Sequence, residues 1–378
     1  MRIFYPYNEI LPKKRAHDLY IFHECAALAQ AGYETTLLCG KGSNPNLFHY
    51  YGISSLDNLH IKQLPLIRKN NLLNWSWNLP FFFKCQQQIR KHRPEFVFLS
   101  VLKQGAYHLS HKVKQSKYIY EVHELSYYPN QLTPKKNFRM EKTLLSRADL
   151  ITVTTSALKE ILRAPPYSLS IPIKVVPLAV HKAPLPPPPE KADPLTLMYV
   201  GQLYSGQGLE HLLAAMQQVE GVCLKVIGGK AREVESMIQL AKRLHVSQRV
   251  EFLGFHPPHL LPEIVKEAHA FVSSFEPKGR MPFVAHTKLL EYASWGRPFI
   301  VPNLSVVREH FPTGKGVLFF EAGQVSSLAE SIQKLQDSHL RKKLQKESLE
   351  HGSSYSWGRR AERYRELFTQ LGFLLSLA

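Results

Sequence analysis

Between Ser273 and Val301 the chain reads SSFEPKGRMPFVAHTKLLEYASWGRPFIV. A carboxylate, Glu276, precedes two cations that flank a glycine, Lys278, Gly279 and Arg280; Lys288, Leu290 and Glu291 then follow on a run of helical period that is otherwise largely apolar. Charged groups on an apolar helix are out of place unless they serve a partner, so this pattern describes a site built around an anion. A second stretch, VGQLYSGQG, leads from a strand-like run into a helix-like one through Gly201, Gly206 and Gly208, with Gln202 and Gln207 between them. Such a glycine-bounded turn offers backbone N–H groups and the positive end of a helix dipole to an anion. His123 closes the strand-like run YIYEV, where a parallel strand would end on the functional edge of its sheet. Lys13, Lys14, Arg15 and His17 follow the first strand in LPKKRAH, a loop that reads equally as a contact for an anion such as phosphate, or for the acceptor, and as a plain basic surface loop.

Elements of the right kind stand around these residues. Short continuous runs such as MRIFYPY, ETTLLC, EFVFLSV, KYIYEVHE and DLITVTT alternate with amphipathic segments such as HDLYIFHECAALAQAGY and SALKEILR. This is the pattern of a parallel sheet covered on both faces. The alternation breaks at the proline-rich 181–194, whose prolines prevent regular hydrogen bonding, and restarts at LTLMYVG, VCLKVIGG, RVEFLGF and RPFIVPN. The expected fold class is therefore α/β, with two doubly wound, Rossmann-like domains: residues 1–180, a linker at 181–194, and residues 195–359. A closing helix over 360–378 is expected to pack back on the first domain. Ligands of open parallel sheets bind outside the carboxyl ends of the strands, which places the expected active-site cleft between the domains.

Composition narrows the classes. The 378 residues exceed the usual size of one core, and 44% hydrophobic content suffices for two. Cys25, Cys39, Cys85 and Cys223 have no paired spacing, which argues against a zinc site or a disulfide framework and suits a reducing cytoplasm. The chain opens on a strand-like run and contains no apolar run of roughly 18 residues, so a soluble protein is expected. The formal charge is +18, and residues 1–180 hold 24 Lys+Arg against 11 Asp+Glu. Nucleic acid or an anionic membrane would suit that balance, and so would a generally basic solvated surface with no such partner; nucleic-acid motifs are missing.

Several segments together resemble the GT-B fold retaining glycosyltransferases, the large group 1 (family 4-like) of bacterial enzymes. YVGQLYSGQGLEHLLAAM looks like that family's V-G-R-L, K-G, L-I-x-A-M segment; LKVIGGKARE, with Gly228, is similar to its strand ending in G-x-G, and VEFLGF to V-x-F-L-G. The opening stretch resembles the A-D-x-F-V-x-P-S-x-x-E and L-E-A-M-A-x-G-x-P-V-V segment. YEVHEL, RADLITVTTSALKEIL and YSWGRRAERYRELF are similar to three further motifs, so the match spans nearly the whole chain. The resemblance implies donor binding by Gly201, Gln202, Gln207, Gly228, Phe255, Lys278, Gly279, Arg280, Lys288, Leu290 and Glu291. Glu291 would hold ribose hydroxyls, since a carboxylate accepts two hydrogen bonds at once. Gly254 and Phe255 would meet the base, and catalysis would fall to His123 and Glu276 at the sugar.

Two departures bear on the chemistry. The family's phosphate-binding arginine is Gln202 here and its lysine is Gln207. A charge-assisted bond to phosphate is about twice as strong as a neutral one, so replacement cations are required; Lys278, Arg280 and Lys288 are the candidates, with Lys278 and Arg280 expected to form the phosphate clamp. Glu276 and Glu291 are also separated by fourteen residues where the common form has seven, and HTKLLEYASWG resembles a longer variant, S-P-x-K-L-x-E-Y-M-A-x-G.

The expected function is transfer of a hexosyl unit from a UDP- or GDP-linked sugar to a glycan or lipid-linked hydroxyl acceptor, with retention of configuration. No cofactor and no metal are expected: there is no D-x-D triplet to hold a divalent ion. NWSWNLPFFFKCQQQIRKHR, Asn74 to Arg93, mixes aromatics with cations and reads in two ways, as a core helix that buries its aromatics or as a face for anionic lipid; the expected location is the cytoplasm, peripheral on the inner face of the membrane under the second reading. Two rivals stand beside this reading. One is a non-catalytic binding or scaffold protein of the same fold that lost diphosphate affinity; the other is a sugar-nucleotide epimerase.

Overall fold

The structure is a computed structural model that describes residues 1–12, 16–42, 46–66, 78–130, 138–189, 193–257 and 260–372. The chain divides into two compact units: Met1–Pro177 together with Trp357–Ala378, and Leu178–Ser356.

The first unit is built on seven strands, β1 (Arg2–Ile10), β2 (Glu34–Gly40), β3 (Leu59–Leu64), β4 (Phe96–Leu99), β5 (Lys117–Val122), β6 (Leu150–Val153) and β7 (Ile173–Val175). Their order is β3-β2-β1-β4-β5-β6-β7, and every pairing is parallel. All four residues of β4 (FVFL) and of β6 (LITV) are buried, as strands must be when helices cover both faces. One covering helix, Ser156–Arg163, starts where the Thr155 side chain accepts a hydrogen bond from the Leu158 N–H. The order reverses between β1 and β4, a topological switch point. The helix Trp357–Gln370 belongs to this unit: the Phe368 ring stacks 4.0 Å from Phe96, and Tyr364 meets Phe98 edge-on at 5.1 Å.

The second unit repeats the plan with β8 (Leu195–Val200), β9 (Val222–Ile227), β10 (Val250–Gly254), β11 (Ala270–Val272), β12 (Phe299–Pro302) and β13 (Val317–Phe320). The order is β10-β9-β8-β11-β12-β13, again parallel, so here the switch lies between β8 and β11. Leu197, Leu212, Leu224, Val272, Ile300 and Leu328 form the dry centre of its core. Each such side chain contributes about 1.5–3 kcal/mol by leaving water.

The boundaries fall at Pro177/Leu178 and Ser356/Trp357, three residues before the positions expected at 180 and 359. The proline-rich segment read as a linker is fastened along the second unit. Leu185 N–H donates to Trp295 O at 3.1 Å, and His269 Nε2 meets Pro189 O at 3.1 Å. The buried Arg297 donates to Pro186 O at 2.5 Å and to Ala268 O at 2.8 Å. Its guanidinium is satisfied by carbonyl oxygens rather than by a carboxylate, and burial pulls it down to about 10.

Candidate functional site

At the carboxyl edge of the second sheet three strands end backbone to backbone. Gly201 N–H donates to Ile227 O at 2.9 Å, and Gly228 N–H donates to Gly254 O at 2.7 Å. Gly228 has φ +115°, and a Cβ there would lie 2.0 Å from the Gly201 carbonyl oxygen, so no other residue fits. The turn after β8 is then clamped onto the chain leaving β11: Glu276 N–H donates to Gly206 O at 2.9 Å, and a Cβ on Gly208 would meet Ser274 O at 1.9 Å. Tyr199 supports the turn from below by donating its hydroxyl to Gln202 O at 2.8 Å. Gly208 starts the helix Leu209–Gln217 in a left-handed conformation, with no side-chain cap. First-turn N–H groups without a side-chain cap, at a switch point, form an anion-binding geometry.

A cation stands at this turn. Lys288, on the helix Thr287–Ser294, donates from Nζ to Gln207 Oε1 at 3.0 Å and lies 5.0 Å above the Tyr199 ring. Nζ is also 3.5 Å from where a Cβ of Gly201 would stand. Lys288 keeps some exposed surface but is densely surrounded by protein; burial lowers it to about 7, with Glu291 opposing. Glu291, one turn further along, is raised to about 7 by burial, with Lys288 opposing. Leu290 between them is buried.

The other cations of the opening stretch lie differently. Lys278 pairs with Glu276 and is largely exposed, as are Gly279 and Arg280. Gly279, at φ +58°, turns the chain, and Arg280 O accepts from Phe283 N–H at 3.0 Å. Gln202 contributes its carbonyl to the turn while its side chain faces solvent, and Phe255, just beyond β10, is 56% exposed. Sequence reading passed over His211 and His286. His211, in the first turn after Gly208, brings Nδ1 within 4.0 Å of Glu276 Oε1. His286 stacks on Phe275 at 3.9 Å and shares a 3.0 Å hydrogen bond with Met281 O; burial takes it down to about 3, so it is a neutral brace. A polar residue at a helix start, as in LEHLL and AHTK, was the available signal.

In the first unit His123 follows β5 directly. Its ring is met edge-on by Tyr20 at 4.9 Å and by His17 at 5.2 Å, and its Nε2 lies 3.4 Å from Glu121 Oε2. Lys13, Lys14 and Arg15 lie outside the described residues. Among the described residues no group of three or more His, Cys, Asp or Glu side chains is placed to hold a metal ion.

Comparison with known proteins adds to this geometry. Residues 194–338 match the family model described as glycosyl transferases group 1, and residues 19–183 match that of glycosyltransferase family 4. No curated protein matches the sequence. Among solved structures, sucrose-phosphate synthase from Thermosynechococcus elongatus is 19% identical over 98% of this chain and 99% of that one, with a TM-score of 0.75. Anabaena HepE in complex with UDP is 15% identical over 98% and 100%, also at 0.75. A glycosyltransferase from Rickettsia africae is 13% identical over 100% and 99%, at 0.75. At these identities the likeness carries the fold alone.

Proposed function

This chain belongs to the group 1 glycosyltransferases, and on that premise we propose that it transfers a hexosyl unit from a nucleoside diphosphate sugar to a hydroxyl acceptor with retention of configuration. One observation carries the donor assignment: Lys288 Nζ is fixed by Gln207 at the glycine turn that ends β8. Where the family has an arginine and a lysine within the turn, this chain has two glutamines, and the cation arrives from the neighbouring helix instead. Gln207 keeps the position and turns it into an anchor for that ammonium. The diphosphate is held by Lys288 and by N–H groups of the turn, which stabilise charge as the leaving group departs. Glu291 accepts the ribose hydroxyls, Glu276 the sugar hydroxyls, and His123 acts at the reacting centre.

In a retaining transfer of this kind the C1–O bond to the diphosphate breaks while the acceptor oxygen bonds to C1 on the same face. The departing diphosphate oxygen takes the acceptor proton, and no protein nucleophile or metal is required. The complexes of Anabaena HepE with UDP and with UDP-glucose support a uridine nucleotide as donor. The acceptor is a glycan or lipid-linked hydroxyl collected at an anionic membrane face.

Calorimetry against UDP, GDP and their sugars, followed by a transfer assay with chelator present, tests the reading. Binding of one nucleotide with turnover is expected. Binding without turnover would favour a scaffold protein, and failure to bind any nucleotide would defeat the donor assignment. Glu291→Ala is expected to raise the donor KM or abolish transfer; unchanged kinetics would remove Glu291 from the site.

A further inference from the structure

Beneath His123 lies a buried charge cluster that the transfer reaction does not use directly. Arg360, on the helix Trp357–Gln370, is 2% exposed and donates from Nε to Glu24 Oε2 at 2.6 Å and from Nη2 to Glu121 Oε1. It also donates from Nη1 to Val176 O at 2.7 Å and to Pro177 O at 2.5 Å, and from Nη2 to the Tyr364 hydroxyl at 3.2 Å. Glu121 accepts further bonds from the hydroxyls of Tyr20, at 2.9 Å, and Tyr5, at 3.4 Å. One cation therefore faces two buried carboxylates, and those carboxylates do not behave alike. Burial pushes Glu24 up to about 7 in spite of Arg360. Burial also works against ionised Glu121, but His123 and Arg360 outweigh it and hold Glu121 well below the usual carboxylate range.

One strand and two helices make this arrangement specific. Glu121 and His123 are two residues apart at the end of β5, Glu24 projects from Ala16–Gln30, and Arg360 comes from a segment more than two hundred residues later. A buried ion cluster is costly to assemble and adds little net stability by comparison with apolar packing, so its retention points to a role in specifying geometry. The geometry it specifies is that of His123. Nε2 of His123 is buried and forms no hydrogen bond of good geometry; its nearest charged neighbour is Glu121 Oε2 at 3.4 Å. A ring nitrogen beside an ionised carboxylate favours the tautomer that carries hydrogen there, because two facing lone pairs repel. Tyr20 and His17 hold the ring from the sides.

We propose that Glu121, held by Arg360 of the C-terminal helix, is a positioning residue that sets the Nε2–H tautomer of His123 and leaves the Nδ1 lone pair to accept a hydrogen at the reacting centre. This rests on the assignment of His123 to that centre, but its structural half is measurable without turnover. Long-range nitrogen–proton correlation spectra of protein labelled at histidine read the tautomer directly, with His123→Gln identifying the resonance. The wild type should show Nε2–H for His123. Glu121→Gln should move His123 to a mixture of tautomers, and kcat should fall about tenfold or more while donor KM changes less than about threefold. Glu24→Gln disturbs the same guanidinium without touching the imidazole, so it should leave the tautomer unchanged. An Nδ1–H wild type, or an unaltered tautomer in folded Glu121→Gln, would overturn the proposal and reduce Glu121 to a partner of Arg360. If Glu121→Gln fails to fold, a tautomer shift in Arg360→Lys, which keeps the charge but loses the fork, carries the same decision. A tautomer that shifts as expected in a protein without transferase activity would uphold the positioning role and defeat the transfer reading instead.

Discussion

A lysine ammonium withdrawn from water loses much of its preference for charge, and Lys288 illustrates the consequence. Burial brings it to about 7, with Glu291 pulling back, so at pH 8 the empty site holds it largely neutral. A diphosphate arriving beside Nζ favours the charged form and raises that value again. Binding at pH 8 is thus expected to take up a proton at Lys288, whereas at pH 5.5 the ammonium is already charged and contributes no uptake. Titration calorimetry of UDP in buffers of different ionisation enthalpy measures this; Lys288→Met should abolish the uptake and weaken UDP binding by about ten- to a hundredfold, as loss of a hydrogen bond to a charged group implies. Equal uptake in the variant would place the proton elsewhere. Glu291 has the opposite sign, gaining charge as pH rises through about 7, and that charge suits it to accept ribose hydroxyls. Gly208→Ala offers a purely steric test at this scale. With φ +71° and Ser274 O 1.9 Å from the new methyl, it should shift the turn, lower the thermal midpoint and weaken nucleotide binding together. The glycines of the turn were legible in the sequence because type and spacing distinguish them, and so was the position of Glu291 on an otherwise apolar helix. That Lys288, and not Lys278, reaches the turn was not legible, since it depends on which helix face meets Gln207 and on Glu276 engaging Lys278.

Among elements, the alternation of apolar runs with amphipathic segments specified both parallel sheets, because a strand covered on two faces has little room for polar residues. Contacts between distant segments were harder to read. The proline-rich segment after Val180 carries no local signal for packing, yet Arg297 and His269, about eighty residues or more away, fasten its carbonyl oxygens to the second unit. Arg360 is a similar case. Its neighbours in sequence mark an ordinary amphipathic helix, and only the fold brings Glu24, Glu121 and the carbonyl oxygens of Val176 and Pro177 around it. Arg360→Met would leave two carboxylates buried without their cation. Removal of one partner from such a cluster costs about 3–5 kcal/mol, so denaturant unfolding should show a loss of that order. Because Glu24 already sits near 7, protonation relieves part of the strain as pH falls, and the loss should be smaller at pH 5 than at pH 8. A loss independent of pH would mean that packing of the long side chain, not its charge, is what the site needs.

At the scale of the whole molecule, the proposed membrane face rests on the helix Leu79–His92. Its inner face buries Phe81, Phe82, Cys85 and Ile89, while Leu79 and Phe83 are 38% and 50% exposed. Lys84, Arg90, Lys91 and Arg93 are exposed with them. Apolar side chains among cations on one helix suit an anionic lipid interface, where each lysine or arginine near the surface contributes about 1 kcal/mol and the exposed rings enter the headgroup boundary. No helix among the described residues is long and apolar enough to cross a membrane; association through this charged face would depend on salt. Co-sedimentation with phosphatidylglycerol vesicles should retain the protein at low salt and release much of it at moderate salt, with neutral phosphatidylcholine vesicles binding little. Phe83→Asp and the pair Arg90→Glu, Lys91→Glu should each weaken retention while leaving UDP affinity unchanged, since that site belongs to the second unit. Retention of these variants equal to wild type would move the membrane face elsewhere on the chain, and failure of the wild type to bind anionic vesicles would make the acceptor a soluble glycan.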